Sequence, residues 1–144
     1  MQFFKPDTGV SMKSKELVVI FSNGKISIFC NGHELTKKWG GYTSVLVART
    51  ESSPHLWIDS TKALWKCTHA SKNHIKCRGE FFSIPMAMEW EISLTDDGII
   101  YWNVSMELKE PYHFERREAN IMISEKYTRW EAGEVSYAGS GFKG

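Results

Sequence analysis

Between Trp90 and Leu108 the chain reads WEISLTDDGIIYWNVSMEL, and apolar residues recur at every second position on both sides of Asp96-Asp97-Gly98. Trp90, Ile92 and Leu94 alternate with Glu91, Ser93 and Thr95; Ile100, Trp102, Val104 and Met106 alternate with Tyr101, Asn103, Ser105 and Glu107. A period of two puts each set on its own face of a strand. A two-residue turn would set Leu94 against Tyr101 and mix the faces. A three-residue loop pairs Leu94 with Ile100, Ile92 with Trp102 and Trp90 with Val104, and every face stays homogeneous. That loop leaves Gly98 for the left-handed position it requires. The pattern therefore predicts a hairpin with one core face. Its other face carries Glu89, Glu91, Tyr101 and Asn103 and is turned to water or to a ligand.

The rest of the chain repeats the same signal. ELVVIFSNGKISIFCNGHELT contains two Asn-Gly pairs, Asn23-Gly24 and Asn31-Gly32. Asn-Gly is the strongest two-residue hairpin signal because both positions need positive φ. These turns set Leu17, Val19 and Phe21 against Cys30, Ile28 and Ile26, then His33 against Cys30 and Leu35 against Ile28. Gly40-Gly41 then interrupts the pattern, and Thr43 to Arg49 is a β-branched run. HLWIDS, KALWKCTHA and HIKCRGEFF read as further strands. In the last strand, HFERREANIMISEKY, Ala119, Ile121 and Ile123 share one face and Arg116, Glu118 and Asn120 the other. No segment holds a 3.6-residue period with caps. The expected fold is all-β, an antiparallel β-sandwich or barrel of about nine or ten strands with little or no helix. Residues 1–132 form one domain in this reading, and 133–144 a Gly-rich tail or linker remnant.

Eighteen basic residues oppose seventeen acidic ones, a formal net charge of +1. That balance gives no general attraction to nucleic acid or to an anionic membrane. No apolar run approaches the ~20 residues of a spanning helix. Classical catalytic and phosphate-cradling motifs are absent from the sequence. Three cysteines leave at least one unpaired within the chain. A turn centred on Lys72 sets Cys67 opposite Cys77, as a disulfide or as two packed thiols. Cys67, His69, His74 and Cys77 follow no standard zinc spacing, and Asp96 and Asp97 are explained by turn chemistry. No cofactor and no metal are expected.

Glu89 and Glu91, at i and i+2 on one strand face, stand about 6.5–7 Å apart at the backbone. A glycosidase carboxylate pair fits that spacing, although alternating Glu on a wet face is also ordinary. The aromatics are more telling: six Trp, five Tyr and eight Phe. Trp90 and Trp102 belong to the hairpin's core face. Trp39, Tyr42, Trp57, Trp65, Tyr127 and Trp130 have no such assignment. Rigid exposed rings mark binding surfaces, and a flat ring stacks on the C–H face of a pyranose.

NGKISIFCNGHELTKKWGGYTSV, HLWIDSTKALWKC, WEISLTDDGIIYWNVSMELKE and FERREANIMISEKYTRW together resemble the galactose mutarotase-like β-sandwich, over roughly residues 16–130. The resemblance lies in texture, with no catalytic motif of that family matched. It implies a sandwich fold (mutarotase-like, with a jelly roll as the other form) and a carbohydrate ligand. The resulting expectation is a non-catalytic carbohydrate-binding module, covalently attached to other domains of a larger carbohydrate-active protein and extracellular or at the cell surface if that parent is secreted. Trp39, Tyr42, Trp57 and Trp65 would be stacking platforms. Glu91, Tyr101, Asn103, Arg116, Glu118 and Asn120 would bond hydroxyls of an oligo- or polysaccharide, all on one concave sheet face. Two alternatives remain open: a sugar epimerase or hydrolase using Glu89, Glu91 or Glu118, and a lipocalin-like barrel around an apolar ligand.

Overall fold

The computed structural model describes residues 9–47 and 56–127, together with the backbone of 129–132 and 135–138. The chain begins with β1 (Val10–Ser14), β2 (Leu17–Ser22), β3 (Lys25–Cys30), β4 (His33–Glu34), β5 (Thr36–Val47) and β6 (Leu56–Asp59). A short 3-10 turn, Ser60–Lys62, follows. Then come β7 (Leu64–Ala70), β8 (His74–Glu80), β9 (Met86–Leu94), β10 (Ile100–Leu108) and β11 (Phe114–Ile123). The first sheet runs β1-β2-β3-β5-β11, with β4 on β3 and β6 on β5. The second is a plain meander, β10-β9-β8-β7. Every ladder is antiparallel. The two open sheets face each other as a sandwich, and among the described residues no barrel closes. Arg129–Ala132 and Val135–Ala138, β12 and β13, pair in a ladder of their own within the segment read as domain end and tail.

Eleven strands make the two sheets, slightly more than the sequence suggests. The added strand is β1, whose five residues VSMKS carry only two apolar side chains, too few to leave a period. The predicted registers are those observed. Leu94 faces Ile100, Ile92 faces Trp102 and Trp90 faces Val104. Leu17, Val19 and Phe21 face Cys30, Ile28 and Ile26. Asn23 and Gly24 have φ of 47° and 76°, and Asn31 and Gly32 of 52° and 80°, the left-handed pairs that the turns require.

The core lies between Met12, Val19, Phe21, Ile26 and Val45 of the first sheet and Trp65, Ile75, Met88, Trp90 and Ile92 of the second. Trp90 is fully buried, with Phe21, Trp65 and Trp102 rings at 5.7, 4.9 and 4.9 Å. Trp102 packs on the same core but is only half-buried. One polar knot ties the layers together. Buried Ser60 donates from Oγ to the Gly24 carbonyl (2.7 Å) and accepts from the Thr43 N–H (3.0 Å). Its own carbonyl accepts from Trp65 Nε1 at 2.6 Å.

Gly40-Gly41 does not end a strand, contrary to the sequence pattern. Both lie inside β5, where the register to β11 passes from Ile121 opposite Gly41 to Ile123 opposite Thr36. Residues 37–40 therefore bulge out. Lys38 and Gly40 take φ of 53° and 61°. A bulge bends a strand and re-aims its side chains, and this one carries Trp39.

Gly98 occupies the left-handed position, φ 85°, in the β9–β10 loop. The loop is closed by the Gly98 N–H to Thr95 O bond (3.2 Å) and by Ile99 N–H to Thr95 Oγ1 (2.9 Å). Gly98→Val is expected to lower stability by about 1–3 kcal/mol, since a β-branched residue resists positive φ. Gly98→Asn should lower it by less. Thermal melts compare the two, and equal, negligible shifts would refute the strained loop.

Candidate functional site

The structure sorts the expected site residues into three places. Trp65 is in the core, so it is no stacking platform. It is 6% exposed, and the strand opposite contributes Gly79. A Cβ on Gly79 would come within 2.7–2.9 Å of the indole ring, so that glycine makes room for the tryptophan.

Glu91, Tyr101 and Asn103 lie on the outer face of the second sheet. That face is laced with ion pairs. His74 Nε2 meets Glu91 Oε2 at 2.7 Å, Lys76 meets Glu89 at 3.6 Å, and Arg78 bridges Glu80 (2.8 Å) and Glu107 (2.9 Å). Lys109 also pairs with Glu80. Hydrogen bonds from Lys109 and then Arg78 hold the Glu80 carboxyl below its ordinary range. Glu89 and Glu91 are thus members of a charge ladder. Tyr101, 52% exposed, and Asn103 stand at its β10 edge.

Trp39, Tyr42, Trp57, Arg116, Glu118 and Asn120 come together on the outer face of the first sheet. Registers fix this arrangement. Tyr42 is opposite Asn120, Ser44 is opposite Glu118 on one side and Asp59 on the other, and Leu46 lies between Arg116 and Trp57. Trp39, thrown out by the bulge, meets Tyr42 edge-on with ring centroids 5.3 Å apart. Trp39 and Trp57 are 39% and 46% exposed. Asn120 Nδ2 donates to Ser44 Oγ at 3.2 Å, and Arg116 meets Glu118 at 3.3 Å. These contacts hold the polar heads side by side along the strands. Beside Tyr42 and Asn120 lies a depression of about 480 Å³, bordered by Lys37, Lys38, Met122 and Glu125. Lys37 and Glu125 pair across it.

The single polar face expected from the sequence is therefore two faces, on opposite sides of the sandwich. Residues 109–113 carry the chain from β10 in one sheet to β11 in the other. Ser44, Leu46 and Lys38 complete the first-sheet face and were not singled out in the sequence. The alternation Tyr42-Ser44-Leu46 was the signal for two of them. The Trp130 side chain lies outside the described residues, and Tyr127 follows the turn after β11. Among the described residues no group of three His, Cys, Asp or Glu side chains is placed to hold a metal ion.

No family model, curated protein or solved structure matches this chain.

Proposed function

We propose that the outer face formed by β6, β5 and β11 binds an oligo- or polysaccharide. In this reading the domain is a non-catalytic carbohydrate-binding module of a larger carbohydrate-active protein. The observation that carries it is the cross-strand register of that face. Trp57 stands beside Leu46 and Arg116 at one end, and Trp39 with Tyr42 stands beside Asn120 at the other. Tyr42 and Leu46 are four residues apart on one strand, about 13 Å. The span suits a chain of sugar rings better than a single ring. Rigid rings offer stacking area at little entropic cost, and Asn120, Arg116 and Glu118 offer donors and acceptors to hydroxyls, with buried Ser44 holding the Asn120 amide in place. The likeness to mutarotase-like sandwiches supports the same ligand class. The run of described residues along β6, β5 and β11 suits binding along an extended chain.

An open face gains few contacts and displaces ordered water, so the affinity should be millimolar to micromolar, roughly 4–8 kcal/mol. Salt should change it little, given a net charge of +1. In titration calorimetry against a soluble glycan panel, Trp57→Ala and Trp39→Ala should each weaken binding at least tenfold, about 1.4 kcal/mol, with the melting midpoint unmoved. Tyr101→Ala and Asn103→Ala, on the opposite sheet, should bind as the parent does. Binding lost with Tyr101→Ala and kept with Trp57→Ala would move the site to the other face. Turnover of any glycan, abolished by Glu118→Gln, would replace the module by an enzyme. Failure to bind any glycan would end the carbohydrate reading.

A further inference from the structure

We infer that Cys67 and Cys77 form a reversible dithiol site that exchanges with low-molecular-weight disulfides. The site is independent of the sugar-binding face. It stands on register and on unequal exposure.

Cys67 and Cys77 are directly opposite each other on the β7–β8 hairpin. Opposite residues of an antiparallel ladder share a face and have Cα atoms about 4.5–5.5 Å apart. That lies within the range of about 4.4–6.8 Å that a disulfide spans. No S–S bond joins them in the structure. The ladder shifts register immediately after Cys67, and an irregularity of that kind gives the Cys67 backbone slack to approach its partner. β7 is also the free edge of its sheet. Cys77 is fully buried, whereas Cys67 is half-buried and its thiol rests on the His69 carbonyl at 3.2 Å. Of this pair, Cys67 is therefore the sulfur open to a soluble disulfide.

Exchange then proceeds in a set order. The Cys67 thiolate attacks one sulfur of the incoming disulfide. A mixed disulfide forms on Cys67, and one thiolate leaves and takes up the proton that Cys67 gave to solvent. Cys77 then loses its proton and attacks the Cys67 sulfur, releasing the second thiol. Two electrons pass from the cysteine pair to the reagent, which becomes two thiols. Burial, and secondarily the adjacent Cys67, hold the Cys77 thiol in its protonated form. The second step is therefore the slow one, and the mixed disulfide should accumulate before the bridge closes.

The bridge would fasten a structural clip. At the tip of this hairpin the Lys72 carbonyl accepts from the Lys13 N–H of β1 (3.2 Å), and the Asn73 carbonyl accepts from the Leu94 N–H of β9 (2.9 Å). The hairpin tip thus holds one strand of each sheet.

The test is incubation of the folded chain with oxidised glutathione, quenching by alkylation at intervals, and peptide mapping by mass. The expected course is a glutathione adduct on Cys67, replaced by a Cys67–Cys77 linkage lighter by two hydrogens than the dithiol and reversed by dithiothreitol. Cys77→Ser should stop at the adduct. Amide exchange at Lys13 and Leu94 should slow in the bridged form. Recovery of Cys67 and Cys77 both fully alkylated after prolonged incubation would overturn the inference, as would a first adduct on Cys77. This measurement on the unmutated chain decides the matter even if a cysteine variant fails to fold.

Discussion

Trp90→Ala is expected to lower unfolding free energy by about 3–5 kcal/mol, the usual loss for a buried tryptophan. Trp90 is fully buried at the centre of the sandwich. It is the one ring that touches Phe21 from the first sheet and both Trp65 and Trp102 from the second. Its Nε1 donates to Met88 Sδ at 3.0 Å, so even its polar edge is spent inside. Alanine would leave a cavity bounded by three aromatic rings, of which Phe21 and Trp65 are held by each other and Trp65 also by the Ser60 carbonyl. Urea denaturation gives the number. Trp57→Ala, at an exposed position, should fall within about 0.5 kcal/mol of the parent. A Trp90→Ala loss below about 1 kcal/mol would show that the sheets do not meet at this ring.

Ser60→Ala is expected to cost about 2–4 kcal/mol, although it removes a single oxygen. That oxygen serves two backbone groups, the Gly24 carbonyl in the β2–β3 turn and the Thr43 N–H in β5. Ser60 is 1% exposed, so water cannot replace it. Each group left unpaired in a dry site costs about 1–3 kcal/mol. Ser105→Ala, on the exposed face of β10, is the control and should change stability by less than about 0.5 kcal/mol. Denaturant midpoints with unchanged slope measure the difference. Equal losses for the two serines would mean that Ser60 bridges nothing.

Local pairing was legible in this sequence wherever alternation and turn chemistry agreed. The β9–β10 hairpin, the β2–β4 meander with its two Asn-Gly turns, and the Cys67–Cys77 pairing are each fixed by residues near one another in the chain. Trp65 shows where that reasoning stops. Ala63, Leu64 and Trp65 are three apolar residues in a row, so period two gives no phase, and it is Leu64 that is exposed. The decisive partner, Gly79, sits across the ladder as a glycine and marks close approach only once the pairing is known. Glu91 shows a related limit. Its partner, His74, is contributed by the neighbouring strand, and a strand's own alternation does not say what lies beside it. The same gap merged the β10 and β11 polar sets into one surface. Alternation tells which residues share a face, whereas membership of a sheet depends on pairings made across the whole chain. Trp39, Tyr42, Trp57, Arg116, Glu118 and Asn120 were legible as candidates, and their convergence was not.

The β5–β11 ladder sets the order in which this chain can assemble. Every residue of the second sheet lies between those two strands in sequence. Pairings of such separation carry a closure entropy that local hairpins avoid. During synthesis the long β5 edge, with the apolar run from Val45 to Val47, is complete well before β11 has been made. Until then its free N–H and C=O groups are a template for any other extended chain. The fold is therefore most vulnerable to self-association just before β11 arrives, and that strand brings Arg116, Glu118 and Asn120. One late event both seals the sticky edge and completes the outer face, so a chain shortened before Phe114 would lose solubility and that surface together.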